Sequence, residues 1–178
     1  MRRATTLLFT GFCIASAAAV AIAAAPLASA NGHGTLLVLD GDGNQVKRQF
    51  SFSARQLNAT TGAALGNAVL HNPAFTGENG HSPYMLQIDI QCMKVFGNIA
   101  FFGGSVKNTN DTTDPVFLDA VFFSVQDNGE PGKNKDLLSA AFFWDNLPPI
   151  TGDPLACNNN SVGDFPMSPI EAGNIQVK

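Results

Sequence analysis

From Tyr84 to Cys92 the chain alternates: Tyr84, Leu86, Ile88, Ile90 and Cys92 fall on one side, and Gln87, Asp89 and Gln91 on the other. Successive side chains of an extended strand point to opposite faces, so a period of two places the apolar set on one face and predicts a half-buried β-strand. If that face is the core face, Cys92 points inward at the end of the strand. No stretch after Ala30 sustains the 3.6-residue apolar period of a helix, which makes the fold class all-β. The same reading predicts strands over 33–40, 46–55, 64–71, 99–107, 116–126, 137–144 and 174–178, about eight with 84–92. The connectors are turn-rich, among them Asp40-Gly41-Asp42-Gly43-Asn44, Thr60-Thr61-Gly62, Phe96-Gly97-Asn98 and Asp127-Asn128-Gly129-Glu130-Pro131-Gly132, as antiparallel hairpins require. A single antiparallel β-barrel or β-sandwich is therefore expected. Closure as a barrel is favoured, because it removes the edges that a segment such as 117–123 would make prone to aggregation.

Two runs are apolar on both faces: Phe117-Leu118-Asp119-Ala120-Val121-Phe122-Phe123 and Ala140-Ala141-Phe142-Phe143-Trp144. Such strands need cover on both sides. The cover expected on the outer side is the segment 146–172, which carries five prolines, Cys157 and Phe165 and no strand pattern. A long coil in a compact domain is uncommon unless it is tied down or functional.

Arg2 and Arg3 are followed by an uncharged, Ala-rich apolar run over 7–25, Pro26, and the triplet Ala28-Ser29-Ala30. These are the basic, apolar and cleavage regions of a secretory signal peptide. The run is nearly long enough for a membrane-anchoring helix, which needs about 20 apolar residues, but Pro26 and the A-x-A triplet favour cleavage after Ala30. Cys13 follows the bulky Phe12, which argues against lipid attachment. Removing 30 residues from 178 leaves 148, the size of one domain. The segment removed holds two of the ten Lys and Arg and none of the fourteen Asp and Glu. The exported domain, residues 31–178, therefore carries eight basic against fourteen acidic groups, a net charge of −6. A mildly acidic domain without a basic stripe is a poor partner for nucleic acid or an anionic membrane.

Export leaves Cys92 and Cys157 of the three cysteines. An even number in an oxidising compartment predicts one disulfide joining them. Asn58, Asn110 and Asn159 open N-x-S/T sequons, but the style of the signal peptide suggests a bacterial source, so glycosylation is not expected.

Candidates for chemistry are few. Asp40, Asp42 and Asn44 begin like a calcium-binding EF-hand loop. The loop pattern then fails, with Gln45 where Gly is needed at position six and Ser51 where Glu is needed at position twelve. The alternative is a Gly-rich hairpin turn, and the carboxylate-bearing loop 127–136 reads as a turn in the same way. His33, His71 and His81 lack metal-ligand spacing, so no metal site is expected from them. No G-x-S-x-G nucleophile elbow occurs, and no pair of facing carboxylates can be singled out for glycoside hydrolysis. No catalytic residue and no cofactor are implied. By alternation Arg48 shares the face of Val46, Phe50 and Phe52, and Asp119 that of Phe117, Val121 and Phe123. Inward charges must find partners. Arg48 and Asp119 are therefore expected to pair with each other or with another polar group, or to line a polar pocket, either fixing register or orienting a ligand at a barrel mouth.

The turn Asp127-Asn128-Gly129-Glu130-Pro131-Gly132 with Asp136 after it, and the terminal Gly173-Asn174-Ile175-Gln176-Val177, resemble an uncharacterised family of secreted bacterial antiparallel β-domains. The opening Gly32-His33-Gly34-Thr35 and the strand Phe50-Ser51-Phe52 are similar to that family too. The resemblance covers both ends and the central hairpin of the exported domain. It implies a compact antiparallel β fold in exported or surface-associated chains and brings no catalytic or binding residues. The Cys157 loop is longer than that family implies.

Three function classes remain. A non-enzymatic structural or surface-interaction module, with an extracellular or cell-surface macromolecule as partner, needs only export, a β scaffold, a disulfide and polar loops. A barrel for a small apolar ligand is suggested by twelve phenylalanines after Ala30, although such rings more often fill a core. An extracellular hydrolase is the weakest reading, because no nucleophile, base or metal set can be named.

Overall fold

The computed structural model describes residues 27–75, 84–110, 116, 118–144, 152–159, 161 and 163–178. The expected signal peptide up to residue 26, His81 and Phe117 lie outside the described residues.

The fold is all-β. Its strands are β1 (Ser29–Leu39), β2 (Gln45–Gln56), β3 (Ala63–Asn72), β4 (Tyr84–Phe96), β5 (Ile99–Thr109), β6 (Ala120–Gln126), β7 (Leu137–Ser139), β8 (Phe142–Trp144), β9 (Met167–Pro169) and β10 (Ala172–Val177). They form one antiparallel sheet in the order β10-β1-β2-β3-β4-β5-β6-β7-β9, with β8 also paired to β6. The sheet curls into a half-barrel. Its two outermost strands are successive pieces of chain: β9 pairs with β7 and β10 with β1, separated only by Ile170 and Glu171. Ile170 N donates to Asp136 O at 3.0 Å and Glu171 N to Thr35 O at 2.7 Å, so the chain crosses from one side of the sheet to the other without leaving its amides bare.

Alternation accounts for the core. Phe50, Phe52 and Ala54 of β2, Ala68 and Leu70 of β3, Leu86, Ile88 and Ile90 of β4, and Val121, Phe123 and Val125 of β6 are buried on the concave side. Rings interlock there, Phe102 stacking on Phe123 at 4.5 Å and Phe50 meeting Phe123 edge-on at 4.7 Å. Burying such rings contributes about 1.5–3 kcal/mol each.

The alternation of β4 does not run unbroken to Cys92. Ile90 lies opposite Gly104 and Cys92 opposite Gly103, so one extra residue, Gln91, sits in a β-bulge. A bulge reverses the facing of everything beyond it. Met93 takes the inward position, and Cys92 turns to the convex side, the opposite of the inward placement expected from its parity.

Other boundaries shift for local reasons. The strand expected over 137–144 is two strands, because the Ser124 amide donates to the Ser139 hydroxyl at 2.9 Å and the ladder is interrupted at Ala140 and Ala141. The strand expected from 116 begins at Ala120: Leu118 has a φ of 73°, a left-handed conformation that a strand does not use, and Asp119 N closes a turn on Val116 O at 3.1 Å. At the N-terminus β1 begins at Ser29, so the cleavage expected after Ala30 would trim its first two residues. Ser29 N donates to Lys178 O at 2.9 Å, and Lys178 N returns a bond to Ser29 O at 2.8 Å.

The turn 127–132 and the last strand meet. Ile175 N donates to Asp136 Oδ2 at 2.8 Å and Val177 N to Asp127 Oδ2 at 3.1 Å. Asn174 accepts from Gly132 N at 3.1 Å and donates to Glu130 Oε1 at 2.7 Å. The edge of β10 that faces away from β1 is thus occupied by carboxylates in place of a neighbouring strand.

Candidate functional site

The convex side of β6 carries Ala120 and Phe122, which form a second apolar cluster with Phe101 of β5 and Phe165. These are the outward residues of strands that read as apolar on both faces, and described residues of the segment expected to cover them, among them Pro154, Ala156 and Phe165, lie against them. Pro154 O lies so close to Gly103 that a Cβ there would overlap it, with Phe122 Cε1 3.0 Å away. Gly103 is what lets the covering chain lie flat on the strand. The cover is tied covalently: Cys92 and Cys157 form a disulfide with Cα atoms 5.8 Å apart. Both are fully buried, and Cys92 reaches the convex side because of the bulge at Gln91.

Between the sheet and this cover lies a pocket of about 460 Å³ lined by Phe122, Trp144, Gly152, Asp153, Ala156, Asn159, Asp164 and Phe165. Phe122 and Phe165 lie parallel within 3° at 6.3 Å. Trp144 stands at 86° to Phe122 at 5.2 Å and at 87° to Phe165 at 6.3 Å. β6 and β8 set Phe122 and Trp144 side by side through the pairing of Ala120 with Trp144. Phe165 is held by Phe142 at 5.0 Å and by the Ser124 hydroxyl, which lies 3.4 Å from its carbonyl. Asp153 and Asp164 are exposed at the rim. Asp153 Oδ1 accepts from Leu155 N at 2.9 Å, and Asp164 Oδ2 accepts from Ser161 N at 2.6 Å and Ser161 Oγ at 3.1 Å. One oxygen of each carboxylate thereby orders the local turn.

The residues singled out in the sequence are dispersed. Arg48 Nη2 donates to Ser139 O at 3.5 Å, and loss of solvation holds its guanidinium below its ordinary value. Asp119 is buried just before β6, and its carbonyl accepts from Val106 N at 2.9 Å. Arg48 thus meets one of the partners expected for it, a polar group of the backbone.

Asp40, Asp42 and Asn44 form the turn between β1 and β2. Asp40 Oδ1 accepts from Asn44 N at 2.8 Å and Asp42 N at 3.0 Å, and Oδ2 from Asn44 Nδ2 at 3.3 Å. The carboxylate is turned onto the turn's own donors. His33 and His71 share a shallow outer groove of about 290 Å³ with Thr35, Gln49, Ser51 and Val69. Among the described residues no cluster of three His, Cys, Asp or Glu could hold a metal.

No protein-family profile, no curated protein and no solved structure matches the chain. Its function has to be reasoned from the geometry of the molecule. The two-faced apolar runs point to Phe122 and Trp144, and the need for a cover points to Phe165. Asp153 and Asp164 have no sequence signal, since carboxylates in coil are ordinarily solvated.

Proposed function

We propose that the chain is an exported, non-enzymatic interaction module that meets its partner on the convex outside of the half-barrel. The observation that carries this reading is the concave side, where Phe50, Phe52, Phe102 and Phe123 interlock at centroid separations of 4.5 to 5.9 Å. A barrel that carries an apolar guest keeps its space where these rings meet, so the ring-filled interior weighs against the small-ligand barrel. Export is supported by the Arg2-Arg3 start, the apolar run and the Ala28-Ser29-Ala30 triplet. A buried disulfide of the kind that persists in oxidising compartments supports it too. The test is native mass spectrometry of the protein recovered from an exporting host, followed by its denatured mass. The expected denatured mass is that of residues 31–178 less two hydrogens, and the expected native mass is the same. An apolar molecule released on denaturation would overturn the reading in favour of a carrier, and an uncleaved chain would overturn the export route.

A further inference from the structure

We propose that the bond between Ala30 and Asn31 is open to a signal peptidase only before the sheet closes, so that folding itself ends the chance to remove the leader. The proposal rests on the export reading above and adds an order of events to it. β1 is an inner strand. Ala30 pairs with Ala54 of β2 on one side and Val177 of β10 on the other, and Asn31 pairs with Ser53 and Gln176. The residues before the bond belong to the fold as well. Ala28 packs against the core, and its carbonyl accepts from Gln56 N at 2.8 Å. Ser29 N donates to Lys178 O at 2.9 Å, and Lys178 N donates to Ser29 O at 2.8 Å. A peptidase that reads Ala28-Ser29-Ala30 has to hold the triplet extended, bonding its backbone and taking alternate side chains into its own pockets. In the folded domain those backbone groups already have strand neighbours, and Ala30 is fully buried.

The two neighbours of β1 arrive at different times. β2 follows directly in the chain, whereas β10 is the last strand, Ala172–Val177. Counting from residue 30 to residue 177 separates Ala30 from its β10 partner by 147 residues. At a synthesis rate of about 5–20 residues per second, the bond has at most one strand neighbour for about 7–30 s. Once β10 docks, its far edge is fastened by Asp136 through Ile175 N and by Asp127 through Val177 N. β1 is then enclosed on both sides. A chain that closes before it is cut keeps the uncharged apolar run over 7–25 and with it a hold on the membrane. Cutting first leaves a mark in the product, because residues 31–178 lack the acceptors of Gln56 N and Lys178 N.

The experiment changes only the order of addition. The full chain, residues 1–178, is unfolded in urea and diluted into oxidising buffer with detergent. Purified signal peptidase is either present at dilution or added after the chain has folded and formed its disulfide, and the products are read by mass. With the peptidase present at dilution, the product should be residues 31–178. The folded chain should be cut at least about 100-fold more slowly, because cutting then waits for β1 to open. Asp136→Asn, which loosens β10, should be cut faster than the parent once folded and at the parent's rate when the peptidase is present at dilution. In the product, the Gln56 and Lys178 amides should exchange faster than in the uncut fold. Equal rates in the two orders, with the second sample shown to be folded by circular dichroism, would overturn the proposal and leave the export reading standing. No cut after Ala30 in either order would overturn the export reading and this inference with it, so the two failures are told apart.

Discussion

Replacing Asp136 by Asn should destabilise the domain by about 3 kcal/mol, although it exchanges a single heavy atom. Asp136 is fully buried. Its Oδ1 accepts from Asn128 N and its Oδ2 from Ile175 N, both at 2.8 Å. A hydrogen bond to a charged group contributes about 1.5–3 kcal/mol, and a buried donor left without a partner costs about 1–3 kcal/mol. An asparagine offers one acceptor oxygen, so one of the two bonds is lost and an NH₂ group is turned toward a backbone N–H. Asp136→Ala loses both bonds and should cost more. For a domain of this size each kcal/mol lowers the midpoint of thermal unfolding by about 2–4 °C, so the asparagine variant should melt roughly 6–12 °C lower. Urea unfolding followed by circular dichroism gives the free energy, and amide exchange gives the location. Ile175 should lose protection beyond its neighbours, because the edge of β10 opens first. Asp164→Asn, at an exposed position, is the control and should stay within about 0.5 kcal/mol of the parent. A loss below about 1 kcal/mol for Asp136→Asn, with Ile175 exchange unchanged, would refute the idea that this carboxylate stands in for a missing strand.

Three further outcomes are expected. Cys92→Ala/Cys157→Ala opens a loop of 65 residues; the chain-entropy relation gives a loss of about 4 kcal/mol, and a urea-measured loss under about 1 kcal/mol would contradict it. Gly103→Ala puts a methyl against the Pro154 carbonyl and Phe122, so the cover should lift and Trp144 emission should shift; an unaltered spectrum would show that the cover is not seated there. The Asp40 carboxyl is held below its ordinary value of 3.8, first by the Asn44 amide, which outweighs the opposing desolvation, and then by the Asn44 side chain and the amides of Asp42 and Gly43. A depressed carboxyl contributes stability above its unfolded pKa and loses it as pH falls through the folded value. The β1–β2 turn should therefore hold its Asn44 amide shift until the pH drops below 3.8, and an NMR midpoint at or above that value would contradict the turn geometry.

What alternation can reveal depends on burial. β2, β3 and β4 up to its bulge each bury one face, so their pattern of two is visible and their positions lie within a few residues of the expectation. The bulge at Gln91 leaves no mark, because an inserted residue changes the facing of every later residue in the strand without changing composition, and parity alone puts Cys92 on the wrong side. The three-residue strand β9 is invisible in a segment broken by prolines. It is held by pairing with β7 and, just beyond it, by the bond from Ile170 N to Asp136 O, which are contacts distant in sequence. Asp127, Asp136 and the 173–177 segment are visible as separate motifs, yet nothing local says that the carboxylates of one cap the amides of the other. That relation is tertiary and exists only when β10 lies beside β1. Parity puts Arg48 on the face of Phe50 and Phe52, but it fixes a face and not a height along the barrel, so the carbonyl that Arg48 meets could not be read from it.

The same limits explain why the convex aromatic cluster is only partly legible. Its rings come from β6, from β8 and from coil some twenty residues beyond β8, and no spacing rule connects the three. What does connect them is physical necessity on the convex side of β6. Phe101 and Phe122 point there because the strands are apolar on both faces, and leaving them in water would forfeit about 1.5–3 kcal/mol each. A covering loop with no ladder of its own must be held by something else, and the Cys92–Cys157 bond supplies that hold. Breaking this bond should therefore act twice, lowering global stability and loosening Phe165 against Phe122 and Trp144. The emission of Trp144 should shift in the double alanine variant under conditions where it remains folded by circular dichroism. Unchanged emission in the folded, disulfide-free protein would mean that the cluster is organised by ring packing alone, and that the covalent tie serves only the unfolded-state entropy.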